Sequence, residues 1–191
     1  LKMAAIPYVG QNAPQIITTN TQSCGIEQEN IPLIKGLEYT GRVILAGDNE
    51  TKVSITIQWG EGESNRQTIT ILNLDKKYQK FPLTFKPSIT TEKAILTIKV
   101  DGKANVTIGT ISLMPTNNIN GFRADVISLL KELNSPVYRW PGGNFVSGYN
   151  WKDGIGDRDR RPPRKNPAWK GVEHNDVGIE EFMQFCRILN T

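Results

Sequence analysis
The sequence predicts a mostly β protein: an antiparallel β-sandwich of jelly-roll type, followed by a short β/α segment that is incomplete as a fold. Three observations carry this. Between about Pro14 and Met114, apolar and polar residues alternate in short runs separated by turn residues. From Asn120 the apolar period lengthens to that of a helix. The 191-residue length leaves only residues 119–191 for everything after the sandwich.

Among the strands the clearest is 51–59, where Val53, Ile55, Ile57 and Trp59 share one face. The same period recurs over 67–71, 94–100 and 106–113, and turn signals stand at 47–49, 60–62, 86–88 and 101–102. Seven or eight such strands without a helical period fill residues 1–118 as one sandwich. In residues 119–191, Phe122, Val126, Leu129, Leu130 and Leu133 define a helical stripe, with Asn118 or Asn120 as N-cap. A short strand at 137–140, a Gly-rich loop from Pro141 and a long polar connection over 150–174 follow. A second helix spans 177–189, capped by Asp176, with Ile179, Phe182, Met183 and Cys186 inward. Glu180 and Glu181 fall in its first turn, where the helix dipole favours carboxylates. One strand and two helices cannot cover both faces of a parallel sheet.

Composition narrows the function classes. With 38% hydrophobic and 22% charged residues the chain is not intrinsically disordered. No run approaches the roughly 20 apolar residues of a membrane span. Two cysteines, Cys24 and Cys186, exclude a disulfide-stapled miniprotein and read as two free buried thiols. Lys and Arg outnumber Asp and Glu by 12 to 10 in residues 1–118 and by 11 to 9 in 119–191, so neither part has the basic excess of a nucleic-acid binder. The sequence begins at Leu1 with no charged leader before an apolar stretch, so no signal peptide is visible.

The densest chemical signal is the loop of residues 139–156. Gly142 and Gly143 allow close backbone approach, Asn144 offers a donor and an acceptor, and Tyr149, Trp151 and Trp169 offer flat faces for the C–H side of a sugar. A rigid turn whose aromatics fill a gap fits these residues equally well. The run 157–165 holds five basic and two acidic residues. It reads as an Arg–Asp network fixing a loop in preference to a phosphate site. The lone His174 reads as a capping or loop-bonding residue ahead of a role at a site. No cysteine or histidine spacing suggests a metal, and no cofactor motif occurs. Glycoside hydrolysis needs two carboxylates about 5–9.5 Å apart. The nine acids of residues 119–191 yield no nominated pair.

With those residues in place, Arg139–Gly156, Arg161-Pro162, Asn166–Trp169, Glu173–Gly178 and Glu181-Phe182 strongly resemble the family 51 α-L-arabinofuranosidases over about residues 120–191. The preceding domain looks like a galactose-binding-like, carbohydrate-binding-type β-domain, on weaker motifs such as 35–40. The resemblance implies a retaining (β/α)₈ TIM barrel that removes terminal arabinofuranosyl groups from arabinan or arabinoxylan by means of two glutamates. In that family one glutamate follows an Asn late on the fourth strand and the other lies on the seventh. The first strand would lie upstream of Leu1, and the chain reaches about the second strand and its helix. Both glutamates are then missing, so the catalytic set of this chain is none. Asn144 and Trp169 carry over as substrate-binding residues, and Gly142, Gly143, Phe145, Tyr149, Trp151, His174 and Asn175 as site support.

The expectation is therefore a fragment of an α-L-arabinofuranosidase: a sandwich (1–118) joined to part of a barrel (119–191), inactive alone. It has no metal or cofactor, and its partner is an arabinose-containing polysaccharide or oligosaccharide, with no nucleic acid and no membrane. The parent enzyme could be an oligomer. A secreted or periplasmic location is slightly favoured. The competing expectation is a non-catalytic carbohydrate-binding module with Trp59 and Tyr78 as candidate platforms, although Trp59 falls on the face assigned to the core. A purely structural domain would bind no sugar.

Overall fold
A computed structural model describes residues 2–19 and 22–191. The apolar alternation becomes nine strands among the described residues of the N-terminal part: β1 (Lys2–Met3), β2 (Pro14–Thr18), β3 (Cys24–Leu33), β4 (Tyr39–Gly47), β5 (Lys52–Gln58), β6 (Arg66–Ile71), β7 (Gln79–Phe85), β8 (Thr91–Asp101) and β9 (Ala104–Pro115). They form two antiparallel sheets, ordered β1-β2-β9-β4-β7 and β3-β8-β5-β6. The sandwich is thus the fold class expected. Its core joins Val53, Ile55 and Ile57 of β5 and Leu96, Ile98 and Val100 of β8 to Val43, Leu45, Leu83, Phe85, Val106 and Ile108 of the other sheet. Period-2 alternation puts these side chains on one face, and burying them supplies the main driving force. Where β3 shifts register against β8, between Gln28 and Ile31, Asn30 takes a φ of 61°.

Neither sandwich aromatic forms an open platform. Trp59 is 5% exposed and its Nε1 donates to Ser88 Oγ at 2.9 Å, so it packs in the core. The Tyr78 hydroxyl donates to Ile6 O at 3.0 Å, and its ring meets Tyr8 edge-on at 5.1 Å. Tyr8 in turn lies over Gly109, where an added Cβ would come within 2.9 Å of the Tyr8 Cβ. Tyr78 therefore pins the segment that precedes β2. Cys24 and Cys186 are free, but Cys24 is exposed at the start of edge strand β3 and Cys186 is half-buried, so neither is the fully buried thiol expected.

The chain divides into two units, Leu1–Thr116 and Asn117–Thr191. The second contains helix α1 (Ala124–Leu133), hairpin strands β10 (Arg164–Asn166) and β11 (Gly171–Glu173), helix α2 (Ile179–Leu189) and three short 3₁₀ turns at Gly143–Gly148, Trp151–Gly154 and Arg158–Arg160. Several local expectations change here. The N-cap of α1 is Arg123, without a side-chain cap bond, because Asn118 Oδ1 is used by the Gly121 N–H in the turn before. Along α1 the buried residue is Ile127, while Val126, Leu129 and Leu133 are exposed. The helix has apolar side chains on two sides, and within this unit only one side is covered.

Residues 137–140 form no strand, since a ladder needs a partner and no strand among the described residues pairs with them. Their rings are used instead. Tyr138 meets Phe185 at 5.2 Å and Trp140 stacks on Phe182 at 5.6 Å. The string Phe122–Phe185–Phe182–Trp140–Tyr149–Phe145 runs through the unit with centroid spacings from 4.9 to 6.0 Å. Helix α2 starts at Ile179, after Gly178 and not Asp176. Ile179 and Met183 are exposed, and the buried member of its first turn is Glu181. Both helices end on an asparagine in the left-handed region, Asn134 (φ 48°) and Asn190 (φ 59°), whose N–H groups close the last turn.

Candidate functional site
The long polar connection is organised around one buried ion pair. Arg161 and Glu181 meet in a two-bonded fork, with Nη1 on Oε2 and Nη2 on Oε1 both at 2.9 Å. Arg158 Nε adds a bond to Oε1 at 3.2 Å, and the Gly178 N–H donates to Oε2 at 2.8 Å. The rest of the Arg161 guanidinium donates to the carbonyls of Gly156, Asn175 and Asp176. Burial alone would push the Glu181 carboxyl upward. Its bonds to Arg161, Gly178 and Arg158 outweigh that and lower it from 4.5 to about 2. The basic run 157–165 is thus an internal clamp. Arg164 pairs likewise with Asp153 at 2.7 and 3.1 Å.

Beside the clamp, two backbones touch. A Cβ on Gly178 would lie 1.9 Å from Gly154 O, and one on Gly154 would lie 2.9 Å from Gly178 Cα and 2.8 Å from the Tyr149 hydroxyl. Only glycine at both positions lets the 151–154 turn seat against the start of α2.

Trp169 is presented at the tip of the β10–β11 hairpin. The side chain of buried Asn166 folds that tip, its Oδ1 accepting from the N–H groups of Ala168 and Trp169, both at 3.0 Å. Trp169 itself is 70% exposed. Asn144 is exposed in the 143–148 turn, after Gly143 at φ 62°. Trp151 is half exposed, and the Lys152 ammonium lies 5.9 Å from the centre of its ring.

Two adjoining hollows share Phe145, Tyr149 and Glu173 as walls. One, of about 260 Å³, is also lined by Asp153, Arg164, Lys165, Asn166, Pro167 and Asn175. The other, of about 330 Å³, adds Trp140, Val172, His174, Asp176 and Val177. Asn144, Trp169, Gly142, Gly143 and Trp151 line neither, whereas Phe145, Tyr149, His174 and Asn175 do. His174 is exposed. Tyr149 is raised above the ordinary tyrosine range, by burial first and by the Glu173 carboxylate second, so its hydroxyl keeps its proton at neutral pH. Sequence reasoning missed Arg161, Glu181, Asn166 and Glu173 as organisers of the site. The alternation of acids and bases in 157–165 signalled ion pairs, but not the partner twenty residues away.

No described helix is long and apolar enough to cross a membrane, and no described cluster of three or more His, Cys, Asp or Glu residues could hold a metal.

Residues 129–191 match the family model described as the alpha-L-arabinofuranosidase 1 domain. The "Probable alpha-L-arabinofuranosidase C" of Aspergillus clavatus is 53% identical over 77 residues, 40% of this chain and 15% of the relative. The "Intracellular exo-alpha-(1->5)-L-arabinofuranosidase" of Acetivibrio thermocellus is 56% identical over 71 residues, 37% of this chain and 14% of that protein. Among solved structures, the GH51 α-L-arabinofuranosidase of Thermotoga petrophila shares 47% identity over 40% of this chain and 16% of its own, with a TM-score of 0.39. The chain therefore spans about 15% of the length of the curated relatives it matches. The segment that builds the Arg161–Glu181 clamp and both hollows is the one that matches the alpha-L-arabinofuranosidase 1 domain model and these relatives.

Proposed function
We propose that the chain is part of a retaining α-L-arabinofuranosidase that removes terminal arabinofuranosyl groups from arabinan or arabinoxylan. In this reading residues 119–191 are an early part of the catalytic barrel and residues 1–118 a carbohydrate-binding-type companion domain. Asn144 and Trp169 contribute to the sugar site, a hydrogen-bonding amide and a flat wall for a C–H face. Gly142, Gly143, Phe145, Tyr149, Trp151, His174 and Asn175 support it.

The observation that carries the proposal is the 53% identity to an arabinofuranosidase over the stretch that matches. The chain's own carboxylates support the further view that both catalytic glutamates lie elsewhere. A double displacement needs one carboxyl whose pKa is raised so that it can give up a proton, and a second left free as the nucleophile. Glu181 is held ionised by two arginines, Asp153 is paired with Arg164, and Glu173 Oε1 accepts the Asn175 N–H at 3.0 Å. Each is committed to structure.

The test is turnover of an aryl α-L-arabinofuranoside by the purified 191-residue chain. The expected result is no hydrolysis. Turnover that disappears when one of its own acids is mutated overturns the inactive-fragment reading. Titration with arabino-oligosaccharides tests the sugar site, with binding expected to fall in Asn144→Ala and Trp169→Ala.

A further inference from the structure
With 70% of its surface open, Trp169 is held through its own backbone more than by neighbours. That backbone belongs to a four-residue tip, 167–170, between Asn166 and Gly171, which pair across the end of the hairpin. Pro167 opens the tip with a φ fixed by its ring and no N–H to offer. The next two N–H groups, of Ala168 and Trp169, both turn back onto Asn166 Oδ1 at 3.0 Å. Lys170 then takes a φ of 54° and returns the chain into β11. One side-chain oxygen thus sets the direction in which Trp169 leaves the tip.

Asn166 is itself 7% exposed and sits in strand β10, so its oxygen is aimed before any ligand arrives. An exposed wall gains from this. A loop and a ring ordered in advance lose little freedom when a sugar settles on them, whereas a free tip must be immobilised by the ligand. An aliphatic residue at 166 would leave both N–H groups to water and open the tip to several conformations. Aspartate would keep an acceptor in the same place.

We propose that Asn166 is a positioning residue for sugar binding: it acts through Trp169, by holding the hairpin tip in the conformation that offers the indole face as a wall. This deepens the sugar-site reading above and rests on it. Asn166 also lines the 260 Å³ hollow, which Trp169 does not. An effect exerted through that hollow is independent of Trp169, and an effect exerted through the tip is not.

The experiment compares the full chain with Asn166→Ala, Asn166→Asp, Trp169→Ala and the double variant Asn166→Ala with Trp169→Ala. Each is titrated calorimetrically with arabinotriose, and the motion of the Trp169 indole N–H is read by NMR relaxation wherever that ring is present. Asn166→Ala should weaken binding about threefold to tenfold and make the indole N–H more mobile. Asn166→Asp should bring both back close to the unsubstituted chain. In the Trp169→Ala background, Asn166→Ala should cost no further affinity, a dependence that a general loss of stability does not produce. Should Asn166→Ala not fold, Asn166→Gln takes its place, since the extra methylene keeps the amide but moves its oxygen off the two N–H groups. The proposal is overturned by unchanged indole mobility in Asn166→Ala, by full loss of binding in Asn166→Asp, or by the same added loss with Trp169 absent as with it present. No binding by the unsubstituted chain, or binding that Trp169→Ala leaves intact, overturns the sugar-site reading and with it the role in sugar binding. The indole signal then still decides by itself whether Asn166 holds the ring.

Discussion
Arg161 and Glu181 illustrate how a buried charge pair is tolerated. Each charge has lost its water, but every oxygen of the carboxylate and every nitrogen of the fork has a partner. Removing one partner strands the other. Arg161→Ala or Glu181→Ala should each cost about 3–5 kcal/mol in urea unfolding, while the paired change Arg161→Met with Glu181→Leu should recover much of that. The depressed Glu181 carboxyl also fixes a pH dependence. A folded pKa of about 2 against an ordinary 4.5 makes its stabilisation complete above 4.5 and lost as pH falls from there toward 2. On the order of 3 kcal/mol should disappear across that window, and the corresponding slope of stability with pH should be missing in Glu181→Gln.

At the scale of single elements, the seam between Gly154 and Gly178 decides where α2 can begin. Gly178→Ala drives a methyl group into Gly154 O, an atom of rigid backbone, so the helix start must move. It should destabilise the second unit by more than Gly171→Ala, whose added Cβ meets nothing closer than 4.0 Å. Melting of the two variants followed by near-UV circular dichroism checks the order. Elements also differ in how legible they were. Strand β5 was plain because Val53, Ile55 and Ile57 report period 2 on their own, and all three are buried. Hairpin β10–β11 was hidden, since Arg164, Lys165, Gly171 and Val172 are all exposed and leave no alternation to detect. Residues 137–140 misled in the opposite direction: their apolar and aromatic content suits a strand, but pairing is a property of neighbours. The Asn144 and Trp169 assignments came from resemblance, because exposed residues leave no periodic trace, while the Arg161–Glu181 clamp joins positions too far apart for local spacing to connect.

Across the whole molecule, stabilisation is unevenly spread. The sandwich buries a continuous aliphatic core, whereas among the described residues the second unit fully buries a single apolar side chain, Ile127. Its other large apolar residues include Leu129, Leu133, Val137, Ile179 and Met183, all exposed. Burial of apolar surface sets most of the free energy of folding. Hydrogen exchange should therefore protect amides of β4, β5, β8 and β9 well beyond those of α1 and α2, and urea should unfold residues 117–191 first. Equal protection across both units contradicts this account. The hairpin carrying Trp169 adds one more consequence. Its base is closed by side chains, through Arg161 to Glu181 and Asn175 to Pro162, while its tip rests on the single amide of Asn166. The tip can change in length or composition without disturbing the frame beneath it. Such a loop is an exchangeable part, replaceable at its tip while the frame that carries it stays the same.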